Sequence, residues 1–198
     1  MHSQLILRCV KRVIQLSRYC FKTAFQNLRY FLYSVSMDVV TDRLFRHMAW
    51  ANTYVFDRIA EQPEDNLKLT APNDTWTVAE ILEHLTAARY ADLLDGKGNI
   101  PTEVPTNKAE VIALRDLSLT FDQRLRESAK NPVGFVEFTR WDGKEIRRNR
   151  ETILTQSIHH ATEHRAQIAG IFANHGLKVI DLDAIDFWEF ANYEGLGD

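Results

Sequence analysis

His160 and His164 stand four residues apart within residues 153–172, a stretch whose apolar periodicity predicts one helix. Four residues is about one helical turn, so both imidazoles leave the same side and two ring nitrogens can converge on one ion at about 2.0–2.1 Å. A third histidine, His84, lies in another helical segment about eighty residues earlier. If the two helices pack side by side, His84, His160 and His164 surround one divalent cation and leave a coordination position open. Seven histidines in 198 residues would give about a quarter of such a pair by chance. The spacing alone therefore leaves two readings: a metal site, or a helix whose histidines are surface or hydrogen-bonded core groups. The apolar stripe favours the metal, because Ile153, Ser157, Ala161, His164, Ile168 and Ile171 share one face with His160 on its shoulder. Ile81, His84, Leu85 and Ala88 likewise share a face. A buried imidazole needs a partner, since an unsatisfied polar nitrogen costs about 1–3 kcal/mol.

Four helical segments must position these groups. Residues 38–61 carry Leu44, Met48, Ala51, Val55 and Ile59 at steps of three and four, with Asp38 and Thr41 as caps and Pro63 ending the pattern. Thr77-Val78-Ala79-Glu80 is a capping box opening a second helix, predicted to run to Leu94 and stop near Gly96 and Gly98. Asn107 caps a third, which reaches about Lys130 before Asn131-Pro132. The period then changes to two at residues 135–140, and Asp142-Gly143 supplies the turn of a short β-hairpin. The fourth helix spans about residues 151–174 and stops at His175-Gly176. The predicted fold class is all-α: a four-helix bundle with a short β-hairpin before the last long helix and an extra N-terminal amphipathic helix. The tail contains Ile180, Leu182, Ile185, Phe187, Trp188 and Phe190, apolar enough to pack over a bundle end or on a second subunit.

Composition narrows the function. At 45% hydrophobic and 26% charged, the chain can bury one core, and nothing suggests disorder. The net charge is −3, yet residues 1–37 carry Arg8, Lys11, Arg12, Arg18, Lys22 and Arg29 with no acid, a local +6 that leaves about −9 for the rest. An acidic body argues against nucleic acid as a partner. Both cysteines, Cys9 and Cys20, fall in the basic segment at a spacing unlike any metal or redox motif, and a reducing, cytoplasmic setting is expected. Residues 1–36 read as a basic amphipathic N-terminal extension, the one route to a membrane surface, and residues 37–198 as the metal-binding domain. No run in that extension reaches the roughly 18 apolar residues of a membrane span. The extension reads as upstream of a start at Met37 or as a loosely attached helix. HExxH, phosphate-loop, serine-elbow and paired-cysteine signatures are missing, which lowers hydrolase and nucleotide-transfer readings.

Three ordered pieces, LFRHMAWAN at 44–52, WTVAEILEHL at 76–85 and HATEHRAQI at 160–168, resemble the DinB family of metalloenzymes, which shares only a name with a DNA polymerase. The resemblance covers about residues 38–190. It implies a four-helix bundle, often a homodimer, with a divalent metal (zinc, nickel or iron) held by three histidines that fall here on His84, His160 and His164. It also implies a small-molecule substrate: some members transfer or isomerise with low-molecular-weight thiols such as bacillithiol or mycothiol. Attack of a metal-bound thiolate, or of water, on an electrophile is the mechanism it suggests. A non-catalytic metal-binding stress or damage-response protein is the alternative. Ala166 stands where the family commonly has glycine, and His159 points about 100° from His160, as a surface group or one that supports a ligand from outside. Trp50 and Asn52 could line a pocket, Arg165 and Gln167 could orient ligands or bind an anionic thiol, and Glu83 or Glu163 could accept from a ligand ring. His47 could be a pocket acid or base, or else an exposed or hydrogen-bonded histidine, and Arg89 and Tyr90 have no assigned role.

Overall fold

The computed structural model describes residues 37–197 apart from 73, 98, 99 and 141. The amphipathic helix expected in residues 1–36 lies outside the described residues. The described chain is mostly helical with one two-stranded sheet: α1 (Val39–Ala60), a 3-10 turn (Glu64–Lys68), α2 (Val78–Leu85), α3 (Ala88–Asp95), α4 (Lys108–Ser128), β1 (Phe135–Thr139), β2 (Glu145–Asn149), α5 (Arg150–Asn174), a second 3-10 turn (Asp183–Ile185) and α6 (Phe187–Tyr193).

Helix starts follow the local chemistry. The Asp38 carboxylate accepts from the Val40 and Thr41 amides, and Asn107 accepts from the Glu110 amide. Thr77 and Glu80 close a reciprocal capping box at α2. At the other end of α5, Gly176 takes a φ of 72°. The Leu177 amide then reaches the Phe172 carbonyl at 2.9 Å and the Gly176 amide the Ala173 carbonyl at 3.0 Å, a left-handed stop that occupies carbonyls left open by the helix end.

The second predicted helix is two. It breaks at Thr86-Ala87, where Ala87 has a φ of 53°, the one positive value outside glycine among the described residues. Thr86 helps the break, its hydroxyl donating to the Glu83 carbonyl at 2.8 Å. Nothing local announces it, because alanine is the best helix former and neither glycine nor proline is present.

The core is one cluster. Phe45, Met48, Val55 and Phe56 of α1 meet Phe121 and Leu125 of α4, Ile81, Leu82 and Leu85 of α2, and Ile168, Ile171 and Phe172 of α5. α1 packs on α4 and α5, α2 packs on α5, and α3 packs on α4 and α5. β1 and β2 pair antiparallel with Phe135 opposite Asn149 and Thr139 opposite Glu145, and the sheet leads directly into α5. The tail folds back on α1: the His47 ring donates to the Ile185 carbonyl at 2.7 Å, and Phe187 stacks on that ring at 3.9 Å. No helix among the described residues is long and apolar enough to cross a membrane.

Candidate metal centre

His84 sits in the last turn of α2, and His160 and His164 sit one turn apart on α5, the helix α2 packs against. One ring nitrogen from each lies within 4.8 Å of the other two. The rings meet edge to face, with centroids 4.7 Å apart for His84 and His160, 4.9 Å for His84 and His164, and 4.2 Å for His160 and His164. Tetrahedral coordination at about 2.0–2.1 Å holds ligand nitrogens roughly 3.4 Å apart.

The electrostatics suit a cation. Burial, then the neighbouring His164 and His84 rings, pushes His160 down to about 4. Burial and His164 also lower His84, against the opposing pull of Glu83. Both imidazoles are therefore neutral near pH 7 and keep a lone pair. Among the described residues neither ring finds a protein hydrogen-bond partner, whereas His164 Nδ1 lies 2.9 Å from Gln167 Oε1. His84 is exposed and the other two are half-buried, so the cluster has an open side. These donors fit a divalent ion in kind and number.

Aromatic rings flank the cluster. Trp76 meets His84 edge to face at 4.9 Å and lies nearly parallel to His164 at 6.2 Å, while Tyr90 stands edge-on to His160 at 5.4 Å. Both placements escape sequence reasoning. In one continuous helix Tyr90 would sit 240° around the axis from His84; the break at Ala87 turns it toward His160. For Trp76 the available signal is its position just ahead of the capping box.

The remaining candidates lie elsewhere. His159 is exposed and pairs with Glu163 at 3.3 Å, so neither joins the cluster. Glu83 accepts a hydrogen bond from the Thr102 hydroxyl. Arg89 is exposed. Arg165 turns into the core and donates to Asn52 at 2.7 Å, which takes both away from a substrate role at the histidines. Trp50 packs on Phe190 and Tyr193 of α6 at 5.3 and 5.6 Å. A cavity of about 590 Å³ beside Trp50, Asp122 and Phe190 holds none of the three histidines.

Comparison with known proteins agrees with the geometry. No curated protein and no solved structure matches the chain. The sequence model of the DinB family matches residues 37–195, most of the chain and all three histidines, and the chain belongs to the DinB family.

Proposed function

We propose that this DinB-family protein binds one divalent metal through His84, His160 and His164 and uses it to activate a small thiol, or water, for transfer to an electrophilic small molecule. The fold reading that accompanies it is a four-helix bundle in which α2 and α3 together form one broken member beside α1, α4 and α5. The observation that carries the proposal is the convergence of three ring nitrogens, from two helices, within 4.8 Å.

When bound, a divalent cation supplies the positive charge that acidifies a coordinated thiol or water. The protein's part is to hold His84 and His160 neutral, keep one side open and bound that side with Trp76 and Tyr90. Three uncharged ligands leave the ion's charge undiminished, which favours an anionic nucleophile. Tyr90 carries a hydroxyl beside His160 whose pKa is raised, mainly by burial. It stays protonated near neutral pH and can donate a hydrogen bond to a substrate atom.

The competing reading is metal binding without turnover, as in a stress or damage-response protein. It is favoured by the composition of the cluster, which contains three histidines and no carboxylate to serve as a base. A homodimer belongs to the main reading, supported by the exposed Trp188, Tyr193 and Leu196 near the C-terminus; sedimentation of the purified chain tests it.

Elemental analysis of the full chain beside His84→Ala, His160→Ala and His164→Ala tests the site. Near-stoichiometric metal in the parent and under a tenth of that in each variant supports it, and equal retention in all four rejects it. Metal-loaded protein is then assayed with panels of low-molecular-weight thiols and electrophiles. Thiol consumption abolished by His160→Ala supports transfer, and binding without consumption selects the non-catalytic reading.

A further inference from the structure

Thr70, Asp74, Trp76 and Thr77 belong to the loop that leads into α2, and this loop brings Trp76 against His84 and His164. Thr70 and Thr77 pair across it as an isolated antiparallel bridge, and the His175 ring donates to the Thr70 carbonyl at 3.0 Å. Within this loop the Asp74 carboxylate is anchored through Oδ1 by the Thr75 amide at 2.7 Å and the Trp76 amide at 3.1 Å. Its Oδ2 accepts from Gln167 Nε2 at 3.2 Å, and Gln167 Oε1 lies 2.9 Å from His164 Nδ1.

We propose that Asp74 and Gln167 form a positioning relay that fixes His164 with its proton on Nδ1, leaving Nε2 to offer the lone pair. The direction follows from donor and acceptor types. An ionised carboxylate only accepts, so the amide group of Gln167 must turn its NH₂ toward Asp74. The opposite flip would set the amide oxygen against the carboxylate oxygen and the NH₂ against the ring. With Oε1 facing His164, and an amide oxygen able only to accept, Nδ1 must be the donor. A neutral imidazole carries one ring proton, so its second nitrogen is left bare. The same anchored loop carries Trp76, whose ring lies nearly parallel to His164 at 6.2 Å, so one turn of backbone sets both the rotation and the tautomer of this histidine. Ligand histidines held by such an acceptor commonly lose about 10–100-fold in metal affinity when it is removed.

The purpose of the relay rests on the metal reading, but the tautomer does not. The test begins with metal-free full chain labelled with ¹⁵N at histidine, with the His164 signals assigned by difference against His164→Ala. Long-range ¹H–¹⁵N spectra at neutral pH should show His164 in the Nδ1–H form in the parent protein. Gln167→Leu and Asp74→Ala should both shift it toward the Nε2–H form. The double variant Asp74→Asn, Gln167→Glu keeps an acceptor facing His164 and a donor facing position 167, and should restore the parent spectrum. Zinc titration should show a loss of about 10–100-fold for Gln167→Leu and recovery to within about threefold for the double variant. An Nε2–H form in the parent, or a tautomer unmoved by Gln167→Leu, overturns the relay even if zinc binds. Absence of zinc binding in the parent overturns the metal reading, and the spectra still decide the relay.

Discussion

Adjacent residues of α5, His164 and Arg165, open onto two polar clusters that treat their polar atoms in opposite ways. Arg165 is 4% exposed and donates to Asn52 at 2.7 Å and to Thr162 at 3.0 Å; Asn52 in turn donates to Asp122, 2% exposed, at 3.3 Å. This chain of contacts joins α5, α1 and α4 and sets a guanidinium and a carboxyl group in the core with Asn52 between them, the second Asp122 oxygen accepting no hydrogen bond. Burial pulls Arg165 down to about 10, with Asp122 opposing, and pushes Asp122 up to about 7, with Asn52 and Arg165 opposing. The histidine cluster has no such complement. Its three rings are one chemical type and open to solvent on one side. A closed polar cluster must satisfy itself or destabilise the fold, whereas an open cluster of like lone pairs is completed from outside. Arg165 therefore reads as structural, while His164 belongs to the proposed metal site, although the two are neighbours in sequence.

The largest effect expected on this contrast comes from Arg165→Met. Leaving Asp122 buried without its countercharge should cost about 3–5 kcal/mol in chemical denaturation, with Asp122→Asn in the same background recovering part of it. Metal affinity should stay within about tenfold, and a larger loss would merge the two clusters into one functional unit. Next in size is metal-linked stability. At one hundred times its dissociation constant a bound ion should stabilise the parent protein by about 2.7 kcal/mol, and Arg165→Met should keep that increment. His84→Ala, His160→Ala and His164→Ala should each lose it.

A third, smaller effect separates the clusters by pH in metal-free protein. His160, held near 4 when folded, binds fewer protons than its unfolded form between about pH 4 and 6.5, so its contribution is present above that window and lost as pH falls through it. Asp122, held near 7, binds more protons than its unfolded form between about pH 4 and 7, so its contribution is present below that window and lost as pH rises. Each slope is at most about 1.4 kcal/mol per pH unit, and that of His160 is reduced by solvent screening of its half-exposed ring. Asp122→Asn should make stability rise more steeply with pH across the window, and His160→Gln should make that rise shallower, since His84 and His47, also lowered by burial, still contribute. Denaturant midpoints at fixed pH read both signs, and parallel profiles would remove the distinction.

The smallest effect concerns the break beside His84. Alanine to glycine inside a helix costs about 1 kcal/mol. Ala87→Gly should fall within about 0.5 kcal/mol of the parent, because relief of the left-handed backbone, about 1–2 kcal/mol, offsets lost burial and added chain entropy. A full helical penalty in thermal or denaturant unfolding would mean that α2 and α3 run together in solution.

Much of this was legible residue by residue. Asp38, the Thr77–Glu80 box and Asn107 act within their own first turns, so their types suffice to mark helix starts. The alternation at residues 135–139 and the glycine at 143 specify a hairpin in the same local way. Arg165 was misleading: a cation beside a candidate ligand suggests anion binding, but its partners on α1 and α4 lie far away in sequence. Gln167 could be named without a direction, since the orientation of its amide depends on Asp74, 93 residues earlier. Tyr90 was illegible because the break that aims it has no glycine or proline to mark it.

By itself the sequence determined the parts governed by helical period and capping chemistry: the long helices, the hairpin, and the stacking of His160 over His164, which follows from a four-residue step in any straight helix. Tertiary structure decided that His84 meets that pair, that the second helix breaks at Ala87 to bring Tyr90 alongside, and that Arg165 faces inward while His164 does not. The division has one physical reason. Local geometry is set by torsions and hydrogen bonds within a turn, whereas the meeting of three nitrogens drawn from α2 and α5 depends on how buried side chains pack between helices.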